Sequence, residues 1–210
     1  MAKMILNMKN LFVIILILCS LCVYAYEWDT KSLRIEKQIG LISIEYPVFK
    51  GEYSFKINNA INQKVNAKLD AFKTSDAYVA TLYGYYKIYF ESENRLSFSI
   101  FYFAYNGGER PFQIVDTFSF VNNNRITAND FVTNKEGLKE LLVEKIKAEK
   151  KNRGFKPTVD LMLDSYVEDF VLTENGVTWI FPAGLMGVFK EGEFEIFLTW
   201  EELKGVANKI

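Results

Sequence analysis

The chain has 210 residues, with 25 Lys or Arg against 26 Asp or Glu, a formal net charge of −1 and no histidine. Its two cysteines, Cys19 and Cys22, both lie in an apolar stretch near the N-terminus. Beyond that stretch the residue types exclude Ser-His-Asp and Cys-His nucleophiles, His- or Cys-ligated zinc and disulfide frameworks, and the commonest general acid-base group is missing.

Residues 1–25 read as a secretory signal peptide. Lys3 and Lys9 supply a positive start, residues 11–23 (LFVIILILCSLCV) an almost continuous apolar run, and Val23-Tyr24-Ala25 a cleavage site before Tyr26. The alternative is an N-terminal membrane anchor, although about 13 apolar residues fall short of the roughly 20 that cross a bilayer. Lipid attachment is disfavoured because leucines, Leu18 and Leu21, precede the two cysteines. Cleavage would leave about 185 slightly acidic residues in the periplasm or outside the cell, enough for one sizeable core or two small subdomains that share one. No basic run suggests nucleic acid, and no transmembrane segment is expected after cleavage. Without disulfides, the exported chain must rely on its core. Twelve Gly and four Pro are too few for a linker-rich chain.

Residues 32–38 (SLRIEKQ) and 41–46 (LISIEY) alternate, which predicts two short strands joined at Gly40. Over residues 53–72 the period becomes helical. Ile57, Ala60, Ile61, Val65, Leu69 and Phe72 form one stripe, while Asn58, Asn62 and Asn66 line another. Aromatic density peaks next, in residues 78–91 (YVATLYGYYKIYFE), whose even positions form an apolar face. Residues 95–105 repeat the pattern with Leu96, Phe98, Ile100, Tyr102 and Ala104. Ser92-Glu93-Asn94 joins them in a long hairpin, and keeping the apolar faces together sets Phe90 opposite Leu96 and Ile88 opposite Phe98. On the other face Tyr85 then lies opposite Phe101 and Tyr83 opposite Phe103, with Tyr89 nearer the turn.

A third strand is predicted over residues 112–121, with Phe112, Ile114, Phe118 and Phe120 on one face and a turn at Asn122-Asn123-Asn124. Thr133-x-x-Glu136 reads as a capping box for a helix carrying Leu138, Leu141, Leu142 and Ile146. Lys147, Lys150, Lys151 and Arg153 close it with the charge its C-terminal dipole favours. A short helix is expected over residues 158–166. Residues 167–173 and 177–181 flank Asn175-Gly176, a turn signal because both positions accept positive φ. After a loop at 182–188, residues 194–200 form a last strand and 201–203 a closing turn. Hairpins and helices in blocks define an α+β fold with antiparallel sheets and two main amphipathic helices.

Certain motifs recur in a familiar order. They are IEYPVFKG (44–51), INNAIN (57–62), a Tyr-x-Gly-Gly element with a nearby proline (105–111), T-x-x-D-F (127–131), FVLTENGVTWIFP (170–182) and WEEL (200–203). Together they resemble the paired domains of unknown function in the ectodomain of the anti-sigma factor RsiV and beside the catalytic domain of some peptidoglycan deacetylases. The resemblance spans residues 33–203. It implies an α+β envelope protein with adjoining subdomains, 26–104 and 105–210, and in the RsiV relatives a surface that binds lysozyme. Two departures limit it. The usual Gly-Gly-Ala-His element reads Gly107-Gly108-Glu109-Arg110 here, and the deacetylases' metal-binding catalytic domain has no counterpart.

Tyr83, Tyr85, Tyr89, Phe101 and Phe103 form the leading candidate binding surface, because aromatic platforms stack on sugars and serve as protein hot spots. In the competing reading the 57–72 helix covers this face as a second core layer, although Lys87 in the same row favours partial exposure. The loop 181–189 (FPAGLMGVF) offers Leu185 and Met186 to a partner, or folds down onto the core. Asp160 and Asp164 share a helix face, as acid pairs and calcium ligands do, or are simply solvated. Glu191-x-Glu193 reads as a turn, and Glu109-Arg110 as a surface turn or a polar contact. No metal-ligand set or cofactor motif stands out. The expectation is a non-catalytic exported envelope protein that binds a lysozyme-like protein or peptidoglycan. The alternatives are a carboxylate-dependent cell-wall glycan hydrolase or transferase, with acids about 5–10 Å apart in a cleft, and a structural envelope assembly subunit.

Overall fold

Two strands and a helix open the described part of the chain where alternation and the helical period place them. The computed structural model describes residues 26–37, 40–51, 54–73, 81–105, 111–159 and 167–210. Residues 1–25, read above as a signal peptide, Gly107 to Arg110 and the Asp160/Asp164 pair lie outside those residues, as does most of the short helix expected over 158–166.

Strands β1 (Trp28–Lys37) and β2 (Gly40–Phe49) pair antiparallel, with Leu33 opposite Ile44. Helix α1 (Ser54–Lys73) follows, then β3 (Thr81–Glu91), β4 (Arg95–Tyr105), β5 (Phe112–Val121) and the two-residue β6 (Asn124–Arg125). These six strands form one sheet in sequence order, so it continues past residue 104. The sheet is mixed. β2 and β3 run parallel because α1 carries the chain back across the sheet between them. Gly84 permits the close approach there, since a Cβ at this position would meet Ile44 Cγ2 at 2.8 Å.

Alternation then decides which face is core. Ile57, Ile61, Val65, Leu69 and Phe72 of α1 pack on Ile44, Leu82, Phe98, Ile100, Tyr102 and Phe118. The helix therefore covers the face opposite Tyr83 and Tyr85, which corrects the reading that α1 hides the aromatic row.

Helix α2 (Lys135–Asn152) and the antiparallel strands β7 (Phe170–Leu172), β8 (Gly176–Phe181) and β9 (Phe194–Thr199) complete the fold. Leu138, Leu142 and Ile146 of α2 pack with Trp179, Phe181 and Leu198 on one face of the small sheet. Val171 and Ile180, on its other face, meet Phe101 and Val115 of the large sheet. The layers run α1, large sheet, small sheet, α2, an α+β architecture in which all six residues of β8 are buried.

Three local expectations change. The β3–β4 register holds from Tyr83 opposite Phe103 to Ile88 opposite Phe98, then shifts, so that Phe90 faces Ser97 and Glu91 faces Leu96. A bulge at Tyr89 absorbs the extra residue. Helix α2 is capped by Asn134, whose Oδ1 accepts from Gly137 N at 3.0 Å, and not by Thr133. Thr133 N and Asn134 N both donate to Val206 O, which keeps the chain extended until the helix begins. Positive φ falls on Asn122 (48°) and Asn123 (60°), not on Asn175 or Gly176. Gly176 is required for another reason: its Cβ would lie 2.0 Å from Leu198 O of the neighbouring strand.

Candidate binding surface

Period two puts Tyr83, Tyr85 and Lys87 of β3, Phe101 and Phe103 of β4 and Gln113 of β5 on the face turned toward the small sheet. The small sheet has strands of only three to six residues against ten or eleven in β3, β4 and β5, so it cannot cover the whole face. Phe101 is fully covered, packed with Val115, Val171 and Ile180. Beyond the cover, Tyr83 is 49% exposed, Tyr85 is 41% exposed and Phe103 is half-buried. The predicted row is therefore divided: Phe101 belongs to the core, while Tyr83, Tyr85 and Phe103 face solvent in part.

Stacking fixes the row. Tyr85 lies 5.1 Å from Phe101 and 6.2 Å from Phe103, centroid to centroid, with interplanar angles of 15° and 16°. Its border is acidic. Lys87 Nζ donates to Glu195 Oε1 at 2.6 Å and Oε2 at 2.9 Å, and Tyr89 Oη donates to Glu195 Oε1 at 2.6 Å. Lys87 Nζ also sits 4.3 Å above the Tyr89 ring. Burial first, and then the Glu195 hydrogen bond, hold the Tyr89 phenol far above its usual range, so it remains a donor. The Tyr85 phenol is pushed up by burial and then by the charges of Glu193 and Glu195. Tyr89 is thus a half-buried anchor between the sheets.

The loop after β8 corrects a second expectation. Met186 is 2% exposed and its carbonyl accepts from Lys150 Nζ, so it faces the core and not a partner. Leu185 is half-buried against the same core. What the loop presents instead is the wall of a groove of about 410 Å³, lined by Phe112, Gln113, Pro182, Leu185, Val188 and Phe189. Gln113 joins groove to row: its Oε1 accepts from Ala183 N at 2.6 Å and its Nε2 donates to Glu193 Oε2 at 2.8 Å.

Gln113, Glu193, Glu195 and Lys150 were not legible as partners of this surface. Glu195 sits at an alternating position of β9, but nothing local says that β9 runs beside Lys87. Lys150 reads as a solvated C-terminal charge, yet it is 1% exposed, 2.7 Å from Thr158 O and 3.1 Å from Glu191 Oε2. Among the described residues no group of three His, Cys, Asp or Glu is placed to hold a metal, and no helix is long and apolar enough to cross a membrane.

Fold and surface together define a layered α+β domain carrying an aromatic row at the uncovered margin between its sheets. No protein-family model and no curated protein matches the chain. Among solved structures it is similar to a DUF3298 family protein from Pseudomonas aeruginosa PAO1, with a TM-score of 0.66, 11% identity and coverage of 87% of this chain and 94% of that one. A DUF3298 family member from Bacteroides fragilis NCTC 9343 superposes with a TM-score of 0.58 at 15% identity, covering 88% of this chain and 94% of that chain. At these identities the likeness is one of fold: the chain has a DUF3298-type fold, that of a domain of unknown function.

Proposed function

We propose that this chain is an exported, non-catalytic cell-envelope protein akin to the RsiV ectodomain, binding a macromolecule through Tyr83, Tyr85 and Phe103. The observation that carries the reading is the exposure of Tyr83 and Tyr85 on the face of the large sheet where Phe101, beside them, is sealed by the small sheet. Tyr85 is already held by two stacked neighbours, so binding would freeze little rotamer freedom. Peptidoglycan is the ligand this chemistry favours. The apolar faces of sugar rings stack on aromatic rings, and carboxylates such as Glu193 and Glu195 accept hydroxyl protons at their rim. A lysozyme-like protein, implied by the RsiV resemblance, is the second partner, since exposed tyrosines also anchor protein interfaces. Export rests on the sequence of residues 1–25.

Titration calorimetry of the full chain with purified muropeptides and with lysozyme tests the proposal. Saturable binding to either, weakened at least tenfold by Tyr83→Ala with Tyr85→Ala, is the expected result. Failure to bind both ligands overturns the partner class and favours a structural role in an envelope assembly. Binding that survives the double substitution overturns the surface. Turnover of the muropeptides would favour the glycan hydrolase or transferase instead.

A further inference from the structure

Tyr26, which follows the expected cleavage site at Ala25, is built into the fold through its ring, its hydroxyl and its backbone nitrogen. The ring packs at the margin of the large core, 6.1 Å from Phe49 in an edge-to-face contact. The hydroxyl donates to Asn123 Oδ1 at 3.1 Å, in the turn between β5 and β6. The backbone N–H donates to the carboxylate of Glu91, the last residue of β3. Lys50 N donates to Glu27 O at 2.8 Å, so the next residue is held as well.

One peptide N–H does not satisfy Glu91. Its Oε1 is buried and makes no hydrogen bond, a costly state for a carboxylate oxygen. Burial raises the Glu91 carboxyl above its ordinary value, and the Tyr26 hydrogen bond offsets only part of the rise. The Tyr26 phenol, on the same side, is pushed up by burial and then by the Glu91 charge. The other charged residues of the β3–β4 turn are Glu93 and Arg95. A peptide nitrogen offers one proton, whereas an α-ammonium offers three and a full positive charge. Cutting before Tyr26 makes that exchange at the nitrogen that already meets the carboxylate.

We propose that cleavage of the Ala25–Tyr26 bond makes Glu91 the anion site for the new N-terminus, and that this pair ties the start of the mature chain to the end of β3. The inference rests on the reading of the chain as exported. Water, delivered by a signal peptidase, adds across the peptide bond. The C–N bond breaks, Ala25 leaves with the carboxylate, and Tyr26 keeps the nitrogen as an ammonium. Its three protons suffice for both Glu91 oxygens, the orphaned Oε1 included. Because Phe49 and Asn123 already hold Tyr26, forming the pair freezes little further freedom. The carboxylate raises the α-amine above its ordinary value in the folded chain. Its contribution to stability is therefore whole below about pH 8 and is lost as pH rises through the folded value.

The full chain, expressed in an exporting bacterium and recovered as that cell processes it, tests the pair. Intact mass and N-terminal sequencing should find Tyr26 first. In that product, NMR of tyrosine labelled at Cα should give an α-amine midpoint above about 8, and Glu91→Gln should return it to about 8. The Glu91 carboxyl should titrate at or below the ordinary value of about 4. The urea midpoint of the natural chain should exceed that of Glu91→Gln near neutral pH, and the gap should close as pH rises beyond about 9. A product that keeps residues 1–25 overturns the pair and the reading of those residues as a signal peptide. Cleavage elsewhere overturns the pair alone. So does a chain cut before Tyr26 whose α-amine titrates at about 8 or below, or is unmoved by Glu91→Gln. If Glu91→Gln does not fold, the α-amine and Glu91 midpoints of the natural chain decide.

Discussion

The rings of Tyr85 and Phe101 stack across the β3–β4 pair, one exposed at the margin of the small sheet and the other sealed beneath it. The contact therefore separates a surface role from a packing role on neighbouring strands. Tyr85→Ala loses two stacked pairs on an exposed face, an expected cost of about 1–2 kcal/mol, together with at least tenfold in ligand affinity. Phe101→Ala opens a cavity between the two sheets and is expected to cost about 3–5 kcal/mol. Urea unfolding of both variants, beside calorimetry on Tyr85→Ala, reads the two effects apart.

Gly176 and Asn175 form the second contrast. An alanine at Gly176 would place its Cβ 2.0 Å from the Leu198 carbonyl oxygen, a backbone atom of the paired strand β9 and not the end of a flexible side chain. Gly176→Ala is expected to cost more than about 2 kcal/mol and to remove amide protection from the β8–β9 pair. Asn175 does not occupy positive φ, so Asn175→Ala should change stability by less than about 0.5 kcal/mol. A large loss in Asn175→Ala would restore the conventional Asn-Gly turn.

That contrast shows where the sequence was informative and where it was not. The α1 stripe from Ile57 to Phe72 was legible because its period and its core face are one property, and both were found. The β3–β4 register was legible up to Ile88, since alternation fixes faces. The bulge at Tyr89 was not, because one added residue leaves the pattern almost unchanged. The parallel pairing of β2 with β3 was also hidden, since it depends on where α1 returns the chain. At the candidate surface the aromatic row itself could be read directly. Which of its members stay exposed depends on how far the short strands β7 to β9 reach, a tertiary fact with no local signature.

Lys150 carries the third prediction. Its ammonium is buried against Glu191, Thr158 O and Met186 O, tying the end of α2 to the loop that walls the groove. Lys150→Met leaves the Glu191 carboxylate and two carbonyls without their cation, an expected cost of about 3–5 kcal/mol. Glu191→Gln on the Lys150→Met background should restore part of that loss. A double-mutant cycle is expected to give a coupling of about 1–3 kcal/mol, and additive losses would mean that the two side chains act independently.

Glu202 supplies a titration well below neutrality. Its carboxylate accepts from Lys145 Nζ, from Thr199 N at 2.9 Å and from Thr199 Oγ1 at 3.0 Å. The Lys145 hydrogen bond first, and then the Thr199 amide, pull its carboxyl down to about 2. Because the folded value lies below the ordinary one, the contribution to stability is present above the unfolded carboxyl's range and is lost as pH falls through about 2. The group lies near the surface, so salt should weaken the effect. Lys145→Met is expected to bring the Glu202 midpoint back toward the ordinary glutamate range, read by carboxyl-carbon NMR. Thr199→Val should do so by a smaller amount, because the backbone amide that it retains is the stronger of the two Thr199 donors. Equal midpoints in all three chains would mean that neither Lys145 nor the Thr199 hydroxyl holds this carboxylate.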